Sequence, residues 1–383
     1  MRSLAQKASG SSYGSTPRTS VNADLSGGAS GGGGGVLSQA DVERQFALHR
    51  ELGRGTYGRC VLATCRESGR RLVLKLMDKR TTRLKDFLQE LHTSTQLSAH
   101  PHVIEAYGAA FETVECFAFA LEFAPLGDLF EFVQPGRGLA ESLVKSVAAQ
   151  VASALEFLHG QSVCHRDLKP ENVAVFEPDL SLVKLADFGM ARPAGALIRK
   201  AGAPIPYTPP EIAQAACDET YRVHSGTDAW SFGVLIYCCL TGSFPWQVAA
   251  ETDPSYREFV RWQQRRKLGQ SPQLPQPIPT GFREFTPRLQ KLLRRLMEPR
   301  LVARAGVAEL RRFLADNWTV LIGGRTPREV GAAECSQRQE VDSLRRMLER
   351  LGVDTQAASG QAREQRVRHW VRLASPSAGL PAD

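Results

Sequence analysis

The hydrophobic residues of segment 48–123 recur in short runs, separated by turn-forming residues, that are typical of β-strands. The flanks of residues 48–62 alternate between apolar and polar positions, as in a hairpin. One stretch, residues 84–91, instead has the three- and four-residue apolar spacing of a helix. Further runs of strand length lie at residues 71–77, 103–107 and 117–123. The pattern predicts a small group of strands with one helix inserted among them.

Helical spacing replaces the strand pattern farther along the chain. Residues 143–158 predict a long helix that ends before Gly160. Its apolar positions are Val144, Val147, Val151, Leu155 and Leu158. A much more apolar helix is predicted over residues 228–240. Helices therefore dominate the second half of the pattern.

Residues 164–172 carry several groups that phosphoryl transfer to a hydroxyl requires. Asp167 is a carboxylate that could accept the hydroxyl proton, and Lys169 is a cation that could steady the moving phosphoryl group. Asn172 and Asp187 supply oxygen atoms of the kind that bind Mg²⁺. We interpret these four residues as catalytic and metal-binding candidates. The alternative is a chance run of charged residues in a solvated loop.

A glycine-rich stretch precedes these residues and predicts a phosphate-binding loop, because glycines allow backbone amides to approach phosphates closely. The G-x-G-x-x-G spacing alone is weak, since a dinucleotide-binding turn shares it. Here a second strand, residues 60–64, follows in place of a helix. The candidate nucleotide-binding residues are Leu52, Gly53, Arg54, Gly55, Thr56, Tyr57, Gly58, Arg59 and Cys60.

Lys75 ends an apolar strand, where a charged amine is costly unless it has a partner. Glu90, in the predicted helix of residues 84–91, is the candidate partner. Lys75 would then hold nucleotide phosphates while Glu90 holds Lys75. The alternative is that Glu90 is an ordinary surface acid.

The run His165-Arg166-Asp167-Leu168, with Asn172 and the later Asp187-Phe188-Gly189, resembles eukaryotic protein kinases. The resemblance covers residues 46–318. It implies a bilobal α+β fold, with an antiparallel sheet and the helix αC in the N-lobe and a mainly helical C-lobe. It also implies ATP and Mg²⁺ as cofactors and proteins as substrates. Lys169 points to the serine/threonine branch. Segments 204–211 and 233–242 resemble the SH3-binding-domain kinase family.

The same resemblance implies roles for residues outside the motifs. Backbone groups near Glu122 and Ala124, at the hinge between lobes, would face the adenine. Cys60, Val73 and Ala174 would line the adenine pocket, where the family usually has other residues. Three further residues would be structural: Asp228, which opens the apolar helix, and the ion pair of Glu211 with Arg304.

Several departures from the family pattern affect the functional prediction. Residues 188–206 contain no Ser, Thr or Tyr, so activity is predicted not to depend on phosphorylation of the activation segment. Ala203 replaces a threonine whose hydroxyl would bridge Asp167 and Lys169, and Thr208 is a candidate substitute. In αC, Ser94 or Thr95 occupies a position expected to be apolar. These departures leave a weakly active, partner-binding scaffold as the alternative function.

The composition predicts segments outside the two lobes. Residues 1–37 are rich in Gly and Ser and predict a disordered arm. The N-lobe is assigned to residues 46–124 and the C-lobe to residues 125–318. Residues 319–383 are predicted to form a tail with short amphipathic helices, which could pack on the kinase, bind a partner or touch a membrane surface.

The charge distribution suggests partners. Residues 257–312, which begin and end with Arg257 and Arg312, hold 14 Lys and Arg against 4 acids, whereas the whole chain has a net charge of +8. This basic face could dock an acidic partner, or it could be merely solvated. No sequence motif of a known nucleic-acid-binding module supports nucleic-acid binding. The prolines between Pro272 and Pro279 fit either an SH3 or WW ligand or a plain loop.

Other features bear on location. No apolar run reaches the roughly 18 residues of a membrane span, and no secretory leader is apparent. Eight cysteines without a C-x-x-C pair fit reduced thiols better than disulfides or zinc ligands. We therefore expect a cytoplasmic protein, with a nuclear location as the alternative.

Overall fold

A computed structural model describes residues 39–55, 58–200, 202–265 and 277–320. Four predictions lie wholly or largely outside these ranges: the disordered arm, Thr56 and Tyr57 of the glycine-rich loop, the proline segment before Pro277, and the tail beyond residue 320. Among the described residues, no helix is both long and apolar enough to cross a membrane.

Five antiparallel strands form one sheet in the first half of the chain, in the order β1-β2-β3-β5-β4. A short helix precedes the sheet and a longer one interrupts it. The elements are α1 (Gln39–Gln45), β1 (Phe46–Gly55), β2 (Gly58–Cys65), β3 (Arg71–Asp78), α2 (Leu84–Leu97), β4 (Ala106–Glu112) and β5 (Cys116–Glu122). Here α2 is the predicted αC.

Both faces of the central strands β3 and β5 are covered, which explains why these two strands are nearly continuous runs of apolar residues. On one face, Val42 of α1 packs with Phe46 and with Leu72 and Leu74 of β3. A second cluster places Phe87 of α2 against the sheet, with Met77, Phe117 and Phe119. The rings of Phe87 and Phe117 stack with centroids 5.0 Å apart. The helix is thereby fixed against β3 and β5.

One predicted strand in this region has the wrong boundaries. Residues 103–105 are not part of the fourth strand, because Val103 bridges Leu185 of the second half of the fold and joins that core. The strand instead continues to Glu112. Helix α2 contains the predicted residues 84–91 and continues through the predicted αC positions Ser94 and Thr95 to Leu97.

Helices dominate the second half, joined by short two-stranded ribbons. The helices are α3 (Glu141–Gly160), α4 (Pro210–Ala213), α5 (Gly226–Thr241), α6 (Pro254–Arg265) and α7 (Pro287–Leu296). The ribbons pair β6 (Val163–Cys164) with β9 (Arg192–Pro193), β7 (Val173–Val175) with β8 (Val183–Leu185), and β10 (Leu197–Arg199) with β11 (Thr220–Arg222). The predicted bilobal α+β kinase fold is therefore confirmed.

The helix α5 is buried from Gly226 through Leu240 and forms the centre of the helical core. Helix α3 packs in the same core through the predicted Val144, Val147, Val151, Leu155 and Leu158. It includes Gly160, so the predicted earlier end is wrong. Helix α3 leads into residues 164–172 of the candidate site, and α5 supplies Asp228, which binds that loop.

Candidate active site

The Asp167 carboxylate is held by two residues of the catalytic loop, residues 164–172. Lys169 Nζ lies 3.0 Å from Asp167 Oδ1 and 2.8 Å from Oδ2. Asn172 Nδ2 donates to Oδ2 at 2.9 Å and to the Asp167 carbonyl at 2.7 Å. The structure thus brings together the carboxylate, the cation and the amide that the sequence predicted.

Asp228, in the first turn of α5, fixes the backbone of this loop. Its buried carboxylate accepts hydrogen bonds from the His165 N–H at 2.9 Å, the Arg166 N–H at 2.7 Å and His159 Nε2 at 2.8 Å. Burial opposes ionisation, but the His159 contact and the backbone donors leave the pKa of Asp228 below its ordinary value. Arg166 is left-handed, with φ of 69°, so these bonds hold a conformation that few non-glycine residues adopt.

Replacing Asp228 with asparagine should destabilise the fold. The amide can accept at one position only, so at least one buried donor loses its partner, at a cost of about 2 kcal/mol of unfolding free energy. Urea unfolding followed by fluorescence measures this loss. The matched control is Asp179→Asn, an exposed aspartate that accepts one backbone bond, from Ser181. Equal stability of the two variants would contradict the role assigned to Asp228.

Lys75, Glu90 and Asp187 form a second cluster of charges. Lys75 Nζ contacts Glu90 Oε1 and lies 2.8 Å from Asp187 Oδ1. Burial would lower the pKa of Lys75, but the two carboxylates raise it above its ordinary value. Burial raises the pKa of Glu90. At Asp187 the positive charge of Lys75 has a larger effect than burial, and the pKa of Asp187 is lowered to about 2. Glu90 is therefore an internal partner of Lys75 and not a surface acid.

The two clusters are tied together by the backbone. The Ala186 N–H donates to the Asn172 carbonyl at 2.8 Å, and His165 Nε2 lies 3.1 Å from the Ala186 carbonyl. Asp187 has φ of 63°, a second left-handed residue at the site. These bonds hold Asp187 and the catalytic loop in one arrangement.

Asn172 and Asp187 fit a magnesium ion by their chemistry. Asp187 stays ionised because its pKa is low, and half of its side chain is exposed. Asn172 donates through Nδ2 to Asp167, which leaves its Oδ1 for a metal. Two oxygen ligands from the protein are typical of Mg²⁺ that is held together with substrate phosphates.

The residues predicted around the adenine come from both halves of the fold. Cys60 pairs in register with Lys75, and Val73 pairs with Leu121. Burial raises the pKa of the Cys60 thiol, which stays neutral beside Lys75. Ala174 lies in β7. Ala124 follows the end of β5.

The structure adds a structural role for Glu122 that the sequence did not predict. Its carboxylate lies 2.8 and 2.7 Å from Lys184 Nζ of β8, which ties the end of β5 to the second half of the fold. Its N–H donates to the Glu105 carbonyl at 2.8 Å. Glu122 therefore cannot offer this N–H to an adenine.

The glycine-rich hairpin is described except at its tip. Leu52, Gly53 and Gly55 lie in β1, and Arg54 there donates to Glu51 at 2.9 Å. Gly58 and Arg59 begin β2. A Cβ on Gly58 would lie 2.1 Å from the Leu76 carbonyl. Packing against β3 therefore requires glycine at Gly58, in addition to any approach of phosphates.

The polar position of α2 is Ser94, which is buried, whereas Thr95 is exposed. Behind Phe188, the His165 ring packs edge-on with centroids 5.3 Å apart. Ser98, one turn after Ser94, links α2 to β4. Its Oγ donates to the Ser94 carbonyl at 2.7 Å and accepts from the Ala106 N–H at 2.8 Å. The link between α2 and β4 thus includes hydrogen bonds.

The suggested substitution by Thr208 is wrong. Thr208 Oγ1 accepts a hydrogen bond from the Ile205 N–H at 3.0 Å, which is a local turn contact. Lys169 and Asp167 contact each other directly, without a bridging hydroxyl. The alanine at position 203 therefore does not prevent this pair from forming.

Glu211 and Arg304 form a two-bond ion pair, with both N–O distances at 2.8 Å. The Arg304 side chain is completely buried. It also donates to the Glu298 carbonyl at 2.8 Å and lies 5.0 Å from the Trp230 ring centroid. This pair joins α4 to the helical core.

Many cations of the basic face, residues 257–312, are paired with acids in the structure. Several of these acids lie outside that segment. Arg288 contacts Asp316, and Arg311 contacts Glu156. Arg295, Arg300, Arg304 and Arg312 also have carboxylate partners. The sequence count therefore overstates the charge available to a partner.

Comparisons with known proteins identify the family to which this chain belongs. The model of the protein kinase domain matches residues 46–318. Over 284 residues, the chain is 41% identical to the serine/threonine-protein kinase SBK1 of Mus musculus, covering 74% of this chain and 66% of that protein. It is 39% identical over 312 residues to SBK2 of Rattus norvegicus, covering 81% and 82%. It is 35% identical over 280 residues to meng-po of Drosophila melanogaster, covering 72% and 59%.

Proposed function

Because the chain belongs to the protein kinase family, among serine/threonine kinases similar to SBK1 and SBK2, we propose that it transfers the γ-phosphoryl group of ATP to serine and threonine residues of proteins. One observation carries this proposal. The Asp167 carboxylate is held between Lys169 and Asn172, and the same loop is tied to the Asp187–Lys75–Glu90 cluster.

Each of these residues has a role in the proposed reaction. Asp167 orients the substrate hydroxyl and accepts its proton, while Lys169 keeps the charge of Asp167 and of the transferred group balanced. Lys75, fixed by Glu90, holds the nucleotide phosphates. Asn172 and Asp187 would hold Mg²⁺, which neutralises charge on the phosphates when it is bound. Catalysis of this kind rests on positioning and on electrostatic stabilisation.

We further propose that activity does not require phosphorylation of the activation segment, residues 188–206. This segment contains no Ser, Thr or Tyr before Tyr207. A phosphate there would normally pair with the arginine of the catalytic loop. In this structure the Arg166 guanidinium already contacts the Met190 carbonyl at 2.6 Å and the Tyr221 hydroxyl at 2.8 Å. These contacts support an ordered segment without a phosphate.

A weakly active scaffold is the second candidate function, and it rests on Ser94. A polar residue at a buried position of α2 supplies less apolar packing behind Phe188 than a larger side chain would. Under either function, we propose that the unpaired part of the basic face and the proline segment bind partners. The seven described cysteines are free thiols, which supports the proposal of a reducing, cytoplasmic or nuclear location.

The test is phosphate transfer from ATP-Mg²⁺ to a mixed Ser/Thr peptide library, before and after phosphatase treatment of the purified chain. The expected products are phosphoserine and phosphothreonine, and the initial rate is expected to be the same before and after treatment. Loss of activity after treatment would contradict independence from phosphorylation. ATP binding without any transfer would favour the scaffold.

A further inference from the structure

The guanidinium of Arg166 has two described hydrogen-bond acceptors, and both are uncharged. Nη1 donates to the Met190 carbonyl at 2.6 Å, and Nη2 donates to the Tyr221 hydroxyl at 2.8 Å. The guanidinium carbon lies 5.9 Å from the centroid of the Tyr221 ring. Arg166 Nε is buried without a hydrogen-bond partner among the described residues. Tyr221 is thus one of two groups that hold this cation.

Tyr221 is itself fixed by the ribbon of β10 and β11. Ile198 and Tyr221 face each other across the ribbon. The ribbon is extended at both ends by further backbone bonds, from Lys200 N–H to the Glu219 carbonyl at 2.9 Å and from Val223 N–H to the Ala196 carbonyl at 2.9 Å. Because β10 belongs to the activation segment, this ribbon connects the segment to Tyr221.

The Lys200 side chain anchors the same ribbon to α4. Its Nζ donates to the Ala213 carbonyl at 3.0 Å and to the Ala215 carbonyl at 2.6 Å. Ala213 is the last residue of α4, and Ala215 lies in the loop after it. Carbonyl oxygens at the C-terminal end of a helix interact favourably with a cation. The ribbon that carries Tyr221 is therefore fixed both by the pairing of β10 with β11 and, through Lys200, by α4.

We propose that Tyr221 is a positioning residue that replaces a phosphorylated side chain in ordering the catalytic loop. This inference rests on the proposed kinase function. A hydrogen bond from a charged donor is stronger than a neutral one, and the tyrosine hydroxyl supplies the acceptor without any modification. Asp228 holds the Arg166 N–H at 2.7 Å, while Tyr221 holds the side chain of Arg166. Fixing both ends of Arg166 fixes the backbone of Asp167, the next residue.

The test is Tyr221→Phe, which removes the hydroxyl and keeps the ring. We expect kcat for peptide phosphorylation to fall about tenfold, equivalent to about 1.4 kcal/mol of transition-state stabilisation, with KM for ATP unchanged. The matched control is Tyr107→Phe in β4, a half-buried tyrosine whose ring lies 5.2 Å from the Arg70 guanidinium. The control should retain the wild-type kcat.

A double-mutant cycle separates positioning from general packing. In an Arg166→Ala background, the change Tyr221→Phe should have no further effect on kcat, because the hydroxyl acts through Arg166. Equal losses in both backgrounds would overturn the proposal, since Tyr221 would then act elsewhere.

Amide hydrogen exchange tests the same proposal without turnover. In Tyr221→Phe, the amides of Arg166 and Ala191 should exchange faster than in the wild type, since each lies beside a contact of the guanidinium. Unchanged exchange at both amides would overturn the proposal. Faster exchange in Tyr221→Phe, together with a wild-type chain that transfers no phosphate, would instead retain the role of Tyr221 and reject the proposed kinase function.

Discussion

Replacing Asp167 with asparagine should lower kcat for peptide phosphorylation by about 10²- to 10⁴-fold, the usual contribution of a positioned general base. The amide cannot accept the substrate proton. It can still accept hydrogen bonds through its oxygen from Lys169 or Asn172, which contact the carboxylate at 2.8 and 2.9 Å. The loop should therefore keep its shape while the chemistry is lost.

Two measurements accompany the kinetics of Asp167→Asn. ATP binding by calorimetry should match that of the wild type, because the cluster proposed to bind the nucleotide phosphates contains Lys75 and Asp187, which contact each other. Asp167 does not belong to that cluster. Thermal unfolding should also be unchanged within error. An asparagine variant with wild-type kcat would show that Asp167 does not accept the proton.

Replacing Glu211 with glutamine should lower the free energy of unfolding by about 3 kcal/mol. Arg304 would lose a charged partner while its side chain remains 0% exposed. Its other acceptors, the carbonyls of Glu298, Gly226 and Pro299, satisfy hydrogen bonds but do not neutralise the charge. We expect the lower end of the range for a broken buried pair, because the Glu211 side chain is 28% exposed.

The control for Glu211→Gln is Glu156→Gln, which removes the acid from the pair with Arg311. The Arg311 side chain is 70% exposed, so this pair should contribute less than about 1 kcal/mol. Urea unfolding of both variants compares the two pairs directly. A loss for Glu211→Gln no larger than for the control would contradict the structural role of the Arg304 pair.

Local sequence accounts for much of the candidate site. Asp167, Lys169 and Asn172 lie within six residues of one another, so a short motif records their proximity. Lys75 and Glu90 could be paired because an amine at the end of an apolar strand needs an acid. The strands and helices were predictable from apolar spacing, although not to the residue.

Contacts between distant residues were not predictable in this way. Tyr221 is 55 positions from Arg166, and Lys184 is 62 positions from Glu122. Nothing in the local pattern of either residue reveals such a partner. The fourth strand was misplaced for a related reason, since Val103 is buried by residues of the other half of the fold. An apolar side chain looks the same in the sequence whichever core buries it.

The most direct test of the central claim is phosphate transfer from ATP-Mg²⁺ to the Ser/Thr peptide library by the wild-type chain and by Asp187→Asn. The variant loses the ionised carboxylate that lies 2.8 Å from Lys75 and that would hold the metal. The account predicts transfer by the wild type and background levels with the variant. Equal transfer by both proteins, or none by a wild type that binds ATP, would contradict it.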